Sequence, residues 1–324
     1  MNKFNKYHTN KELIKEVLLD PIRKGADKLI IVSGYVSHNM ASWHIKNIEE
    51  ESLSPIEISL VAGMYLKDGV NIELHEGLKE LTNLNDEKYS SFECKYIYKG
   101  APVHSKLYLW LKNNKPFIAF TGSANYTQNG FSKLQREYIV ECNPKEAYEY
   151  FKNIETDSVI CNHNKIEEYI NLYDNLNIEQ LKQDIKSFSL ETVTLSLLKT
   201  NGDIGHGSGI NWGIRKNGTK REPNQAYIKV PAEIARSGFF PINKKHFSVI
   251  TDDRKQLILR IEQANNKALT TPLNNSLLGK YLRERIGVPQ GKFVTKEDLE
   301  RYGRTDVTFY KINDEQFFMD FSII

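Results

Sequence analysis

The chain has 324 residues, 40% hydrophobic, 26% charged and 11% aromatic, with 19 Gly, 10 Pro, a mean hydropathy of -0.51 and a net charge of +3. That length accommodates two domains, and the balance excludes collagen-like, low-complexity and disordered classes. No apolar run approaches the roughly 20 residues of a membrane span, and the N-terminal MNKFNKYHTNKEL has no apolar signal-peptide core.

In chain order, Asn10 caps a predicted helix to about Asp20, with Leu13, Ile14, Val17 and Leu18 on one face and Pro21 beyond its end. Strands are predicted over Lys28–Val36 and Ile56–Tyr65, then a helix over Val70–Leu81. Phe92–Tyr98, Val103–Leu111, Pro116–Gly122 and Arg136–Cys142 read as further strands, with a turn at Lys112-Asn-Asn-Lys115 and a helix from Pro144 to about Ile154. Strands alternating with helices predict an α/β layer for the first half. After Asn201 short apolar runs between turn residues (AYIKVP, FFPI, HFSVI, QLILRI, VTFYKI, QFFMDFSI) predict a mainly β second domain with one helix at Leu277–Ile286. The predicted organisation is a domain over 1–165, a helical linker over 166–200 and a second domain over 201–324.

Charge divides the chain in the same way. Residues 1–200 carry 24 Lys and Arg against 27 Asp and Glu, whereas residues 201–324 carry 20 against 14. A basic half beside a slightly acidic one points to a polyanion held by one part and different work in the other. The densest cluster joins Arg215, Lys216, Lys220 and Arg221 to Trp212, with no acid before Glu222. Three cysteines, Cys94, Cys142 and Cys161, lack C-x-x-C spacing. They argue for a reducing compartment, so a cytoplasmic protein, and against a disulfide scaffold or a cysteine zinc site.

The chemistry concentrates in VHSKLYLW, FTGSANYTQNGF and REYIVE. Alternate strand residues share a face, so His104 and Lys106 point one way and Ser105 and Leu107 the other. An ammonium can neutralise phosphate oxygens while a neutral imidazole attacks phosphorus or moves a proton. Gly122 permits close backbone approach, and Ser123 and Asn125 can donate hydrogen bonds to phosphate. Glu137 is placed to accept a proton from His104 and fix its tautomer. His44-Ile-Lys46 and His163-Asn-Lys165 repeat the H-x-K spacing in predicted helical segments, without a following G-S-x-N, and read as surface pairs.

The H-x-K and G-S-x-N pair resembles the phospholipase D superfamily. The resemblance implies an α/β nuclease domain with a mixed central sheet and flanking helices, His104 as nucleophile, Lys106, Ser123 and Asn125 as phosphate clamp, and Glu137 as orienting acid. Leu111 stands where that family often has Asp. The two-step reaction of the superfamily uses two histidines, so one motif copy implies a homodimer through the nuclease domain with one composite site. Lys and Asn would supply the charge stabilisation, so neither metal nor cofactor is expected.

The second half, with NWG, NQAYI and NNSLLG, resembles the mainly β, B3-like pseudobarrel domain of certain restriction endonucleases, and the whole chain resembles those type II enzymes that join it to a phospholipase D-like nuclease. Two arms grip the major groove in such modules. Here they would be Trp212–Gln225 and the region Asn265–Asn275. Arg215, Arg221, Asn224 and Gln225 are candidate base readers, Lys216 and Lys220 phosphate contacts, and Asn274 and Asn275 either readers or a turn capping the next helix with Ser276. The implied activity is sequence-specific, metal-independent cleavage of double-stranded DNA at a short GC-containing target, with a cognate methyltransferase in the host and no membrane partner. Alternatives are a lipid phosphodiesterase of the same superfamily, a non-catalytic DNA-binding regulator, and a metal nuclease built on Asp86, Glu93 and Lys95. Gly205–Gly209 lacks the strand and helix context of a dinucleotide loop.

Overall fold

The computed structural model describes residues 6–8, 13–84, 86–132, 135–174, 190–215 and 221–323. They form two units, Met1–Asn175 and Leu176–Ile324. The predicted linker therefore divides: Leu172–Tyr173 pairs with a strand of the first unit, and Thr192–Ser196 is a strand of the second. The alternation of buried Val193 and Leu195 with exposed threonines is the period-2 signature that a helical reading of this stretch overlooks. Residues 175–189 lie outside the described residues.

The first unit runs β1 (Lys6–His8), a π-helical turn (Ile14–Leu19) into α1 (Asp20–Arg23), β2 (Lys28–Ser33), α2 (His38–Glu50), β3 (Glu57–Ala62), α3 (Tyr65–Asp68), β4 (Val70–Asn71), α4 (Ile72–Thr82) and β5 (Ser91–Ile97). It continues with β6 (Lys106–Lys112), β7 (Lys115–Gly122), β8 (Tyr138–Cys142), α5 (Pro144–Glu155), β9 (Ser158–Ile160) and β10 (Leu172–Tyr173). Asn10 lies outside the described residues. Pro21 does not end the first helix but sits in the first turn of α1, where a missing N–H costs nothing. The eight-stranded sheet has the order β1-β8-β7-β6-β2-β3-β5-β9, with β2, β3 and β5 parallel and β6, β7 and β8 antiparallel. β6 alternates cleanly. Leu107, Leu109 and Leu111 join the core with Ala147, Phe151 and Ile154 of α5, while Trp110 on the opposite face donates its indole N–H to Val17 O at 2.9 Å. The β6–β7 turn uses Asn113 and Asn114 at φ 50° and 58°, the left-handed pair a two-residue hairpin requires.

The second unit contains β11 (Thr192–Ser196), β12 (Ile228–Lys229), α6 (Ala232–Ser237), β13 (His246–Thr251), β14 (Gln256–Glu262), β15 (Ala268–Thr270), α7 (Ser276–Ile286), α8 (Lys296–Tyr302), β16 (Asp306–Lys311) and β17 (Gln316–Asp320). Its sheet has the order β11-β16-β17-β13-β14-β15-β12. The edge strands β11 and β12 approach one another, so the sheet curls into a nearly closed barrel. Phe240, Phe247, Phe309 and Phe317 fill it, with Phe247 and Phe317 ring centroids 4.9 Å apart. Phe239-Phe-Pro-Ile242 is not a strand; its two phenylalanines serve this core. α6, α8 and β15 are elements the apolar runs did not signal. α8 starts with a Thr295–Asp298 capping box.

His44, expected at the surface, is fully buried in α2. Leu18 O can only accept, so Nε2 carries the proton toward it (3.3 Å) and Nδ1 accepts from the Tyr126 hydroxyl (2.9 Å). His163 lies in the turn before the short helix Ile166–Glu168, not in a helix, and accepts from Lys165 N at 3.2 Å. Burial pushes His44 from its ordinary 6.5 down to about 4. The unfolded chain thus takes up a proton that the native state refuses between those values, and stability is complete above pH 6.5 and lost as pH falls toward 4. The thermal midpoint is expected to drop between pH 7 and pH 5, with a shallower slope in His44→Gln, as read by differential scanning calorimetry.

Candidate active site

β6 enters the sheet between β2 and β7, and the register sets the site. Lys106 lies opposite Ser33 of β2, Leu107 opposite Thr121 of β7, and Gly122 opposite Ile139 of β8. One end of four adjacent strands therefore gathers His104, Lys106, Ser123, Asn125 and Glu137. β6 begins at Lys106, so His104 stands just before the ladder, exposed, while Lys106 is 8% exposed. The predicted alternation holds. Ser105 turns toward α5, where it accepts the Tyr150 hydroxyl at 2.8 Å. The Lys106 ammonium lies 3.2 and 3.3 Å from the two ring nitrogens of His104 and donates to the His104 carbonyl at 2.7 Å. Burial pushes the Lys106 pKa below its ordinary range, and the Glu137 carboxylate partly offsets this.

Asn125 presents its amide in a defined sense. Its Oδ1 accepts from Tyr35 N at 3.3 Å, with Ser33 Oγ 3.4 Å away, which leaves the NH2 end for an anion. Ser123 and Glu137 depart from expectation. The Ser123 hydroxyl donates to the Glu137 carboxylate, its oxygen accepts Tyr138 N at 3.0 Å, and no hydrogen bond joins Glu137 to His104 among the described residues. The cause is the β7–β8 edge, which sets Ser123 beside Tyr138 and gives its proton to the nearest carboxylate. Gly122 serves the same edge: a Cβ there would come within 2.1 Å of Tyr138 O, so its close approach is to β8. The motifs did not single out Ser33 and Tyr35. The signal was available as the Ser-Gly-Tyr break at the carboxyl end of a strand parallel to its neighbour, where open α/β sheets place ligands.

Among the described residues no group of three or more His, Cys, Asp or Glu side chains is placed to hold a metal ion. Lys95 of the D…E-x-K pattern pairs with Glu93 (3.0 Å) and Glu155 (2.9 Å), and Asp86 accepts from Lys88 N within its own turn. Among those same residues no helix is long and apolar enough to cross a membrane.

In the second unit the Arg221 guanidinium lies over the Trp212 ring at 4.7 Å, and Trp212 meets Tyr227 edge-on at 5.7 Å. The side chains of Arg215 and Gln225 make no hydrogen bond among the described residues, and both are part-exposed. Lys216 and Lys220 lie outside the described residues. Asn224, expected to read a base, is buried and hydrogen-bonded within the unit: it donates to Glu222 (3.1 Å) and accepts Gly291 N (2.7 Å). Asn274 accepts Ser276 N at 3.0 Å, as a capping turn does, while the Asn275 carbonyl accepts Ala226 N at 3.1 Å. The motif glycines are contact points: a Cβ on Gly213 would meet Glu222 O at 2.1 Å, and one on Gly279 would meet Asn224 O at 1.9 Å. Arg283, fully buried in α7, binds the arm from beneath. It donates to Lys292 O (2.9 Å), Gly279 O (3.2 Å), Ile210 O and Asn211 Oδ1 (both 3.3 Å) and Pro223 O (3.5 Å).

Residues 11–168 match the family model described as the NgoFVII restriction endonuclease N-terminal PLD domain, and residues 185–313 match the NgoFVII C-terminal B3-like DNA-binding domain. The chain belongs to this family of restriction endonucleases, which join a phospholipase D nuclease domain to a B3-like DNA-binding domain. Similar solved structures include Nuc, a phospholipase D family member from Salmonella typhimurium, at 12% identity over 49% of this chain and 97% of that one, TM-score 0.36. NucT from Helicobacter pylori is similar at 15% identity over 49% and 99%, TM-score 0.32. Polyphosphate kinase from Porphyromonas gingivalis is similar at 10% identity over 56% and 28%, TM-score 0.32. No curated protein matches the sequence.

Arg283→Met removes donors from several buried carbonyls at once and is expected to cost about 3 kcal/mol or more. Denaturant unfolding should show the loss, and a gel-shift assay should show weakened DNA binding in the folded variant.

Proposed function

We propose that the chain is a type II, site-specific endonuclease that hydrolyses double-stranded DNA through a phosphohistidine on His104, without metal or cofactor, in a homodimer. The convergence of His104, Lys106 and the outward-facing Asn125 amide, in a chain that also carries a DNA-binding domain, is the observation that carries this reading. A neutral ring nitrogen of His104 attacks phosphorus, the P–O bond to the leaving oxygen breaks, and that oxygen takes a proton from His104 of the partner subunit. The same partner ring then removes a proton from water, whose oxygen attacks phosphorus and breaks the N–P bond. Lys106 and Asn125 stabilise the equatorial oxygens throughout. The Ser123 hydroxyl and the Glu137 carboxylate act as one unit. With DNA bound, Ser123 turns its proton to phosphate or Glu137 orients His104 of either subunit.

Arg215, Arg221 and Gln225 read bases of a short GC-containing target, with Trp212 holding Arg221 in place; Lys216 and Lys220 contact phosphates. Asn224, Asn274 and Asn275 shape the arms that present them. A cytoplasmic setting with a cognate methyltransferase follows from this activity.

Plasmid digestion with and without EDTA tests the mechanism. Discrete fragments in EDTA are expected, with His104→Ala inactive by a factor of about 10³ or more yet still binding its site. Cleavage abolished by chelation would sink the metal-free route. Arg221→Ala is expected to lose about 1–3 kcal/mol of discrimination at one base pair, measured by competition binding against single-substitution targets.

A further inference from the structure

The turn after β2 touches both halves of the phosphate site and belongs to neither motif. Tyr35 is 38% exposed, and its ring stands edge-on to that of His104, with centroids 6.0 Å apart and planes at 80°. Its hydroxyl donates to the Asp68 carboxylate at the end of α3 at 2.8 Å. Its backbone N–H, as described, holds the Asn125 carbonyl oxygen. The turn also lies against the imidazole directly: a Cβ on Gly34 would come 3.0 Å from His104 Cδ2. His104 precedes the β6 ladder, and among the described residues its ring makes no hydrogen bond except toward Lys106, so the surfaces beside it are what can limit its rotation.

We propose that Tyr35 is a positioning residue for His104, with Asp68 acting through the Tyr35 hydroxyl to hold the ring at the imidazole. This rests on His104 being the nucleophile. An in-line attack tolerates little misplacement, and a rigid aromatic wall on one side of an exposed imidazole restricts it to the rotamers that face the Asn125 amide. The hydrogen bond to Asp68 also pushes the phenol above its ordinary value, so the hydroxyl keeps its proton and the tether persists at neutral and mildly alkaline pH.

Steady-state cleavage of a target duplex by the 324-residue chain tests this. Tyr35→Ala is expected to lower kcat about 10–100-fold with KM and target binding within twofold of wild type. Tyr35→Phe should recover part of that loss and stay about threefold or more below wild type in kcat, because it restores the ring without the tether. Asp68→Ala should match Tyr35→Phe, and the double variant Tyr35→Phe/Asp68→Ala should be no worse than either, since both remove one tether. An unchanged kcat in Tyr35→Ala, or a rise in KM alone, would overturn the proposal and make the ring a DNA contact. If Tyr35→Ala does not fold, equal kcat losses in Tyr35→Phe and Asp68→Ala support the tether and unchanged kcat in both overturns it. His104→Ala separates the two levels. Full activity there removes the nucleophile reading, whereas inactivity there with a normal Tyr35→Ala removes only the role of Tyr35.

Discussion

The candidate site depends on the register of β6 between β2 and β7. Side chains alternate strictly along a strand, so a slip of one residue would bury Lys106 beneath α5 and turn Leu107 toward the candidate site. The hydrophobic pattern prevents that slip: Leu107, Leu109 and Leu111 fit the α5 face, and Tyr108 and Trp110 fit the other. Lys106 is thereby a nearly buried cation whose position is set by several apolar residues downstream. The geometry of the candidate site is a consequence of core packing at a distance of a few residues.

Once β6 is placed, the candidate site is completed by buried polar groups. Ser33 Oγ takes Tyr126 N at 3.0 Å and donates to Tyr35 O at 2.6 Å, joining the loop after β2 to the segment that carries Asn125. His44 reaches the same segment through the Tyr126 hydroxyl. The second unit repeats this division of labour. Arg283, Asn211 and Asn224 are buried and make hydrogen bonds that hold the arm in shape, while Arg215, Gln225 and the Trp212–Arg221 pair remain available at its surface. In both units, ordered interior groups limit the rotational freedom that exposed groups would otherwise lose on binding.

H-x-K and G-S-x-N were legible because each keeps its functional groups within a few residues of one another, and at H-x-K strand alternation also predicts which side chains share a face. The alternating runs of β13, β14, β16 and β17 were legible for the same reason. Less visible was the assignment of roles among chemically equivalent residues. Asn224 and Gln225 are neighbours in an arm predicted to read DNA, yet only the first finds partners at Glu222 and Gly291. His44 and His104 share a spacing, but one is sealed in a helix. Such outcomes turn on which distant backbone groups arrive beside a side chain, and local periodicity carries no record of that.

The sequence by itself determined the two-part organisation, the α/β and β textures, and the grouping of His104, Lys106, Ser123 and Asn125 into two short motifs, since composition, period and motif spacing are local properties of the chain. Only the tertiary structure decided that Ser123 faces Glu137, that Tyr35 borders the imidazole from a turn some seventy residues earlier, and that the NWG and NNSLLG glycines are packing contacts. Those are meetings of segments far apart in the chain, and their geometry follows from strand order and close packing, which exist only once the sheets have formed.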